Sequence, residues 1–337
     1  MRGLKWLVTV LVLAALGWSA WWWIGARGQE EALARWFQGR SAAGWQAEHA
    51  GIAITGFPQT FHRRVEAPKL ADPEAGWAWQ APSFRADSPA WEPTRFEIAL
   101  PQEQSLAVPG QRISVASERF RLVLDVKPGA RLELSETGID ATALALAAQS
   151  GWDAGAETVS ATLRERREGA PENTYDLDMT AVQVVLPKML TARLDPSGGL
   201  AGVRGTLSAD GLATFDRPLD RSTLEEGDLD ARTLLLRPSE LLWGDMVLRA
   251  QGRLDADAEG YAEGEISLSI QNWQRMLAIA RRSGALSPGL ADAVEGAVSV
   301  LSIFSQSEAL DLTLVFKERR VRLGPIPIAE APRIAEP

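Results

Sequence analysis

Nineteen consecutive residues without a charge, Trp6-Leu-Val-Thr-Val-Leu-Val-Leu-Ala-Ala-Leu-Gly-Trp-Ser-Ala-Trp-Trp-Trp-Ile24, constrain this chain more than any other feature. Wound as a helix at about 1.5 Å per residue, the run spans roughly 28 Å, close to the ~30 Å hydrocarbon core of a bilayer. Arg2, Lys5 and the amino terminus precede it, while beyond it only Arg27 comes before Glu30 and Glu31. Cytoplasmic flanks carry the excess of Lys and Arg, so the N-terminus is expected to stay in the cytoplasm and everything after Ile24 to be exported. Trp6 and Trp18 lie in the anchor, and Trp21, Trp22, Trp23 and Ile24 stand where it leaves the bilayer, a level that indole rings favour. A cleaved signal peptide would need small residues at −3 and −1. A cut after Ala20 puts Trp18 at −3, and one after Ala26 puts Ile24 there, so an uncleaved signal anchor is the better reading. Export holds on either.

The chain therefore divides into a cytoplasmic stub and transmembrane anchor, 1–28, and an exported domain, 29–337. Leu33, Trp36, Phe37 and Arg40 fall at helical spacing, so Gln29–Arg40 should prolong the anchor as an amphipathic helix. After Gly44 the texture becomes strands. The clearest pair is Leu248–Ile270, where Leu248, Ala250, Gly252, Leu254 and Ala256 alternate with Arg249, Gln251, Arg253, Asp255 and Asp257. On the return, Ala262, Gly264, Ile266, Leu268 and Ile270 alternate with Glu263, Glu265, Ser267 and Ser269. A period of two with a polar opposite face means strands wetted on one side. Asp257-Ala-Glu-Gly260 is the hairpin turn. The same texture recurs at Phe120–Val126, Val159–Leu163, Tyr175–Leu186, Val203–Ala209 and Leu310–Phe316. The fold class expected is mainly β with a few helices: a transmembrane helix followed by a long, curved antiparallel β-meander. Asp140 and Asn272 are helix caps by pattern, the first for a segment ending at Gly151, the second for the stripe Trp273, Met276, Leu277 and Ala280. Ser287-Pro288 opens a third helix, 288–306. The acidic stretch Asp220–Asp230 reads as an exposed loop, the place for a boundary if the domain has two lobes.

Charge and composition remove most chemistry. A formal net charge of −9 at pH 7 leaves no surface for nucleic acid, since phosphate contacts need clustered cations. The absence of cysteine excludes disulfides, thiolate metal sites, iron–sulfur clusters and a cysteine nucleophile. Two histidines, His49 and His62, build no multi-histidine metal site. His62 is a strand-face residue beside Arg63 and Arg64. Asp255, Asp257, Glu259 and Gly260 imitate positions 1, 3, 5 and 6 of a calcium loop, but its twelfth position is Ile266 and its flanks alternate as strands. No catalytic, metal or cofactor-binding residues are assigned, no cofactor is expected, and an enzyme is not.

Three passages then carry a resemblance. They are Ile54-Thr-Gly-Phe-Pro58 followed by Trp77-Ala-Trp-Gln-Ala-Pro82 and Trp91-Glu-Pro93; Gly264-Glu-Ile-Ser-Leu-Ser-Ile270 running into Gln271-Asn-Trp273; and Val321-Arg-Leu-Gly-Pro-Ile-Pro327. Their order and spacing after an N-terminal anchor resemble the domain-of-unknown-function family 2125 of Gram-negative bacteria, over about residues 1 to 333. The resemblance implies a periplasmic protein anchored in the inner membrane by a single pass. More distantly the chain is similar to AsmA-type envelope proteins, whose curved sheets form a groove for acyl chains. Two readings follow. In one, Leu248, Leu254, Ile266, Leu268 and Ile270 form an apolar face that takes lipid or another amphiphile in envelope maintenance. In the other, that face is closed core, and the domain is a scaffold that meets envelope proteins.

Overall fold

The computed structural model describes residues 2–195, 198, 200, 202–226, 229–282, 296 and 309–336. The chain forms two compact units. One comprises Met1–Val126 with Leu146–Ser150; the other comprises Lys127–Ala145 with Gly151–Pro337. Every pairing defined between strands is antiparallel.

The first unit begins with helix α1, Arg2–Ala42, whose 41 residues make a rod of roughly 60 Å, twice a bilayer core. Its apolar stretch holds two hydroxyls, each bonded one turn back. Thr9 Oγ1 donates to the Lys5 carbonyl at 2.9 Å and Ser19 Oγ to the Ala15 carbonyl at 2.7 Å, so neither is left unpaired in an apolar setting. The helix stops at Gly44, which takes φ +91° while Trp45 N–H donates back to the Arg40 carbonyl at 3.0 Å. That is a glycine C-cap, in a conformation glycine enters without steric cost. The continuation beyond the anchor expected from Leu33 and Phe37 is present, unbroken.

Ten strands follow: β1 Gln46–Glu48, β2 Gly51–Thr55, β3 Thr60–Glu66, β4 Lys69–Asp72, β5 Trp77–Gln80, β6 Ser83–Pro89, β7 Arg95–Leu100, β8 Glu103–Val108, β9 Gln111–Ala116 and β10 Arg119–Val126. They do not pair as a simple meander. The chain shuttles between two ladders, β1-β4-β5-β8-β9 and β2-β3-β6-β7-β10. Both ladders feed a core with α1, in which Phe37 meets Ala47 of β1 and Val65 of β3, with Leu33, Ile52, Leu70 and Phe84 around them. A second cluster joins Trp22 and Ala26 to Phe61 and Ala90. The helix residues involved, Trp22, Ala26, Leu33 and Phe37, fall on one stripe at helical spacing. Gly25 lets the helix come close, because a β-carbon there would lie 3.1 Å from the Phe61 ring. Trp22, expected at the bilayer surface with Trp21 and Trp23, is instead buried in protein. Its ring stacks on Phe61 at 5.3 Å.

The second unit, with the last residues of β11 counted in the first, is the expected meander. It runs β11 Leu134–Ala148, β12 Asp153–Glu165, β13 Thr174–Val184, helix α2 Lys188–Leu194, β14 Gly205–Phe215, helix α3 Arg221–Glu226, β15 Ala231–Trp243, β16 Met246–Ala256, β17 Ala262–Gln271, helix α4 Trp273–Arg282, then β18 Ala309–Lys317, β19 Arg320–Leu323 and β20 Ile326–Glu330. From β12 to β20 each strand pairs with the next. The helix expected from Asp140 is part of β11. Its alanines favour a helix, but Thr142, Leu144 and Leu146 are half-buried while Ala143, Ala145 and Ala147 are exposed, a period of two that the neighbouring strands reward. Asp220–Asp230 is not a bare loop: Asp220 Oδ1 accepts from Ser222 N–H at 2.9 Å and Thr223 N–H at 3.1 Å, capping α3 inside this unit. Helix α4 is where the stripe of Trp273, Met276, Leu277 and Ala280 placed it, against β16 and α2. The Asn272 side chain does not cap it, however, and donates instead to the Asp245 carbonyl. The third expected helix, 288–306, lies outside the described residues.

Candidate functional site: an apolar face on the second unit

The hairpin of β16 and β17 forms in the register its alternation requires, with Leu248 opposite Ile270, Ala250 opposite Leu268, Gly252 opposite Ile266 and Leu254 opposite Gly264. Its turn is held by Asp257, whose Oδ1 accepts from Glu259 N–H at 2.9 Å and Tyr261 N–H at 2.8 Å. The oxygen that a calcium loop would offer to an ion is thereby committed to the backbone. Leu248, Leu254, Ile266, Leu268 and Ile270 share one side.

Register carries that side across the sheet. Gly252 and Ile266 stand in a row with Leu163, Leu177, Gly211 and Leu236 on one flank and Leu314 and Leu323 on the other. A neighbouring row runs Val159, Ala181, Leu207, Leu241, Leu248, Ile270, Leu310. The apolar face thus covers the strands from β12 to β18. The residues outside the hairpin were not singled out from sequence. Alternation was visible at Val159–Leu163 and Leu310–Phe316, but only pairing places those strands on the same side.

Most side chains on this face are neither sealed nor free, although Leu310 is buried. Leu234, Leu236, Leu241, Leu248, Leu254, Ile266, Leu268, Ile270, Leu312 and Leu314 are all half-buried, and Leu177 is exposed, although the strands that carry them are interior ones. At the turn end the face is closed: Ala262 is fully buried, its N–H donates to the Pro332 carbonyl at 2.9 Å, and Ile334 N–H donates to the Gly260 carbonyl at 2.8 Å. The C-terminal segment therefore covers the small residues at that end, leaving no room for a chain. Gly252 and Gly264 are needed for strand approach, since a β-carbon on Gly252 would overlap the Glu265 carbonyl and one on Gly264 the Arg253 carbonyl.

The opposite face is ionic. Arg237 spans Asp210 at 2.6 Å and Asp176 at 2.9 Å, and Arg166 holds Asp176 through two bonds of 2.9 and 3.1 Å. Burial works to raise the Asp176 carboxyl, but hydrogen bonds from Arg166 and Arg237 outweigh it and hold the group below its ordinary value. A bidentate bond from Arg253 does the same for Asp255, with Thr233 Oγ1 adding a bond of 2.7 Å. An open hollow of about 430 Å³ lies over β16–β18 on this ionic side, among Arg249, Gln251, Ser267, Ser269, Asp311 and Thr313. It is not the apolar face.

His62 lies on β3 as expected of a strand-face residue, with Nε2 3.0 Å from Thr60 Oγ1 and Nδ1 2.9 Å from Asp87. Arg63 points the other way and is buried with Ser88 at 3.0 Å; burial drops its pKa to about 10 despite the nearby charge of Asp87. No group of three or more His, Asp or Glu able to hold a metal occurs among the described residues.

Fold and site together define a β-rich protein built on one N-terminal apolar helix. That helix is the one described element long and apolar enough to cross a membrane, and its apolar stretch has a mean hydropathy of 1.8. Residues 22–332 match the family described as an uncharacterised protein conserved in bacteria, DUF2125, and the chain belongs to that family. No curated protein and no solved structure matches it.

Proposed function

We propose that this chain is a non-catalytic envelope protein, anchored in the bacterial inner membrane by α1 with its bulk in the periplasm. In this reading the apolar face of β12–β18 binds lipid or another amphiphile. One observation carries the proposal: the leucines and isoleucines of interior strands form a continuous face, and most of them stay partly exposed. Contiguous apolar surface of this kind marks a binding surface on a protein that is otherwise water-soluble. An acyl chain fits it because contact is non-directional and needs no polar partner. The ionic opposite face, tied by Arg166, Arg237 and Arg253, keeps the sheet from offering two apolar sides.

The test is titration of the full chain, reconstituted in nanodiscs, with the fluorescent fatty acid cis-parinaric acid. Ile266→Glu sets a charge at the centre of the face and should weaken binding at least about ten-fold, since leaving a carboxylate in apolar contact costs well over 1.4 kcal/mol. Saturable binding lost in that variant supports the proposal. Absence of binding, or unchanged binding in Ile266→Glu, overturns it. A protein co-purifying on the same face would favour the scaffold.

A further inference from the structure

The first unit reaches down along its own anchor. Trp22 Nε1 donates to the Thr60 carbonyl at 3.0 Å, and Trp18 Nε1 donates to the Pro58 carbonyl at 2.9 Å. These bonds fasten the β2–β3 turn, Gly56–Gln59, beside a stretch of α1 that belongs to the charge-free run. Phe57 at the tip touches Trp22 edge-on at 5.5 Å, yet half of it is exposed, at 50%. Ala90 is buried in the same cluster and donates its N–H to the Gln59 carbonyl at 2.8 Å. Its neighbour Trp91 is left 67% exposed. On the helix, Trp21 and Trp23 are exposed at the same level.

This arrangement conflicts with a bilayer boundary at Ile24. Phe61 stacks on Trp22, and the next residue along β3, His62, lies 2.9 Å from Asp87. Hydrocarbon reaching Ile24 would therefore engulf the turn and press on an ionisable pair, which lipid penalises by several kcal/mol. Conversely, Trp6–Gly17, the part of the run free of the domain, is only about 18 Å long, against a core of ~30 Å. Both demands are met if the outer boundary falls at the turn itself. The remaining mismatch is then absorbed by local thinning and by Lys5 reaching outward along its stem.

We infer that the β2–β3 turn is a membrane-interface wedge. Phe57 and Trp91, with Trp21 and Trp23, enter the headgroup layer of the bilayer that α1 crosses and hold the first unit against the membrane surface. The inference rests on α1 being the anchor. Large aromatic rings are the side chains that this layer favours, and four of them converge here from two separate chain segments and the helix.

Because the chain lacks cysteine, single cysteines can be introduced and labelled with an NBD fluorophore in the full-length protein, reconstituted in phosphatidylcholine vesicles that carry nitroxide lipids. Phe57→Cys and Trp91→Cys report the wedge, and both sites are exposed. Val10→Cys reports the anchor. Glu103→Cys is the control, beside Ala67 and Pro82 at the far end of the β3–β6 pair. The expected result is quenching at 57 and 91 by headgroup and shallow nitroxides at least about two-fold above that at 103, as befits residues in the interface, with 10 quenched by deep nitroxides. Quenching at 10 with none at 57 and 91 overturns the wedge and leaves the anchor standing. No quenching at 10, 57 or 91 overturns both. Quenching at 57 and 91 without 10 overturns the wedge as stated together with the anchor, because the layer it enters is that of the bilayer α1 crosses.

Discussion

Leu268→Ala distinguishes an open face from a closed core. Leu268 pairs with Ala250 on one side and Leu312 on the other, with Ile266 and Ile270 two residues away along β17, and it is mostly but not fully covered. A leucine sealed in a core costs about 2–5 kcal/mol on truncation, part of it for the cavity left behind. Here the space opens to solvent, so no cavity forms, and only the flank contacts of three carbons are lost. At ~0.8 kcal/mol per fully buried methylene and with most of the side chain covered, the loss is roughly 1.5–2 kcal/mol and should stay below about 2.5 kcal/mol. Urea unfolding of the reconstituted full chain, followed by intrinsic fluorescence, would read this as a small shift in midpoint at constant slope. In the same variant, cis-parinaric acid affinity should drop several-fold, by about three- to ten-fold, because the lost carbons contact ligand. A loss above about 3 kcal/mol with unchanged ligand affinity would show that the face is closed and refute the carrier reading.

Phe61→Ala should behave oppositely: Phe61 is sealed by Trp22, Ala26 and Ala90, so the first unit should lose about 3–5 kcal/mol, seen as an early thermal transition. Asp257→Ala removes the acceptor for two backbone N–H groups in the β16–β17 turn and should cost about 1 kcal/mol, while calorimetry with calcium shows no Asp257-dependent heat. Asp176 and Asp255 both titrate lower folded than unfolded, so their stabilisation is complete above the ordinary carboxylate range, about pH 4, and is lost as pH falls through the depressed folded values. Acid titration of Asp255→Asn should be flatter than that of the parent in this window; an identical profile would remove Arg253–Asp255 from the account. A reporter active only outside the cytoplasm, fused after Pro337, should be active, and a cytoplasm-only reporter there silent.

Local patterns and long-range pairing divide the account of this protein between them. The N-terminal apolar helix was legible because a charge-free run is a property of consecutive residues. So was the hairpin of β16 and β17, where side-chain alternation assigns Leu248, Leu254, Ile266, Leu268 and Ile270 to one side whatever the partner strands are. The turn at Asp257 and helix α4 were likewise written in short spans. What escaped depended on residues far apart in the chain. Thr142, Leu144 and Leu146 became strand because neighbouring strands supplied hydrogen bonds that outweigh alanine's helical preference. Trp22, which the local pattern puts at a membrane surface, is buried because Phe61 and Ala90 enclose its ring and the Thr60 carbonyl takes its N–H. Ala262 lost its exposure to Pro332, seventy residues further on. The apolar face itself is mixed in this sense. Five of its residues are visible in the alternation of one hairpin, but its extent from β12 to β18 exists only through register, which adjacent residues do not encode.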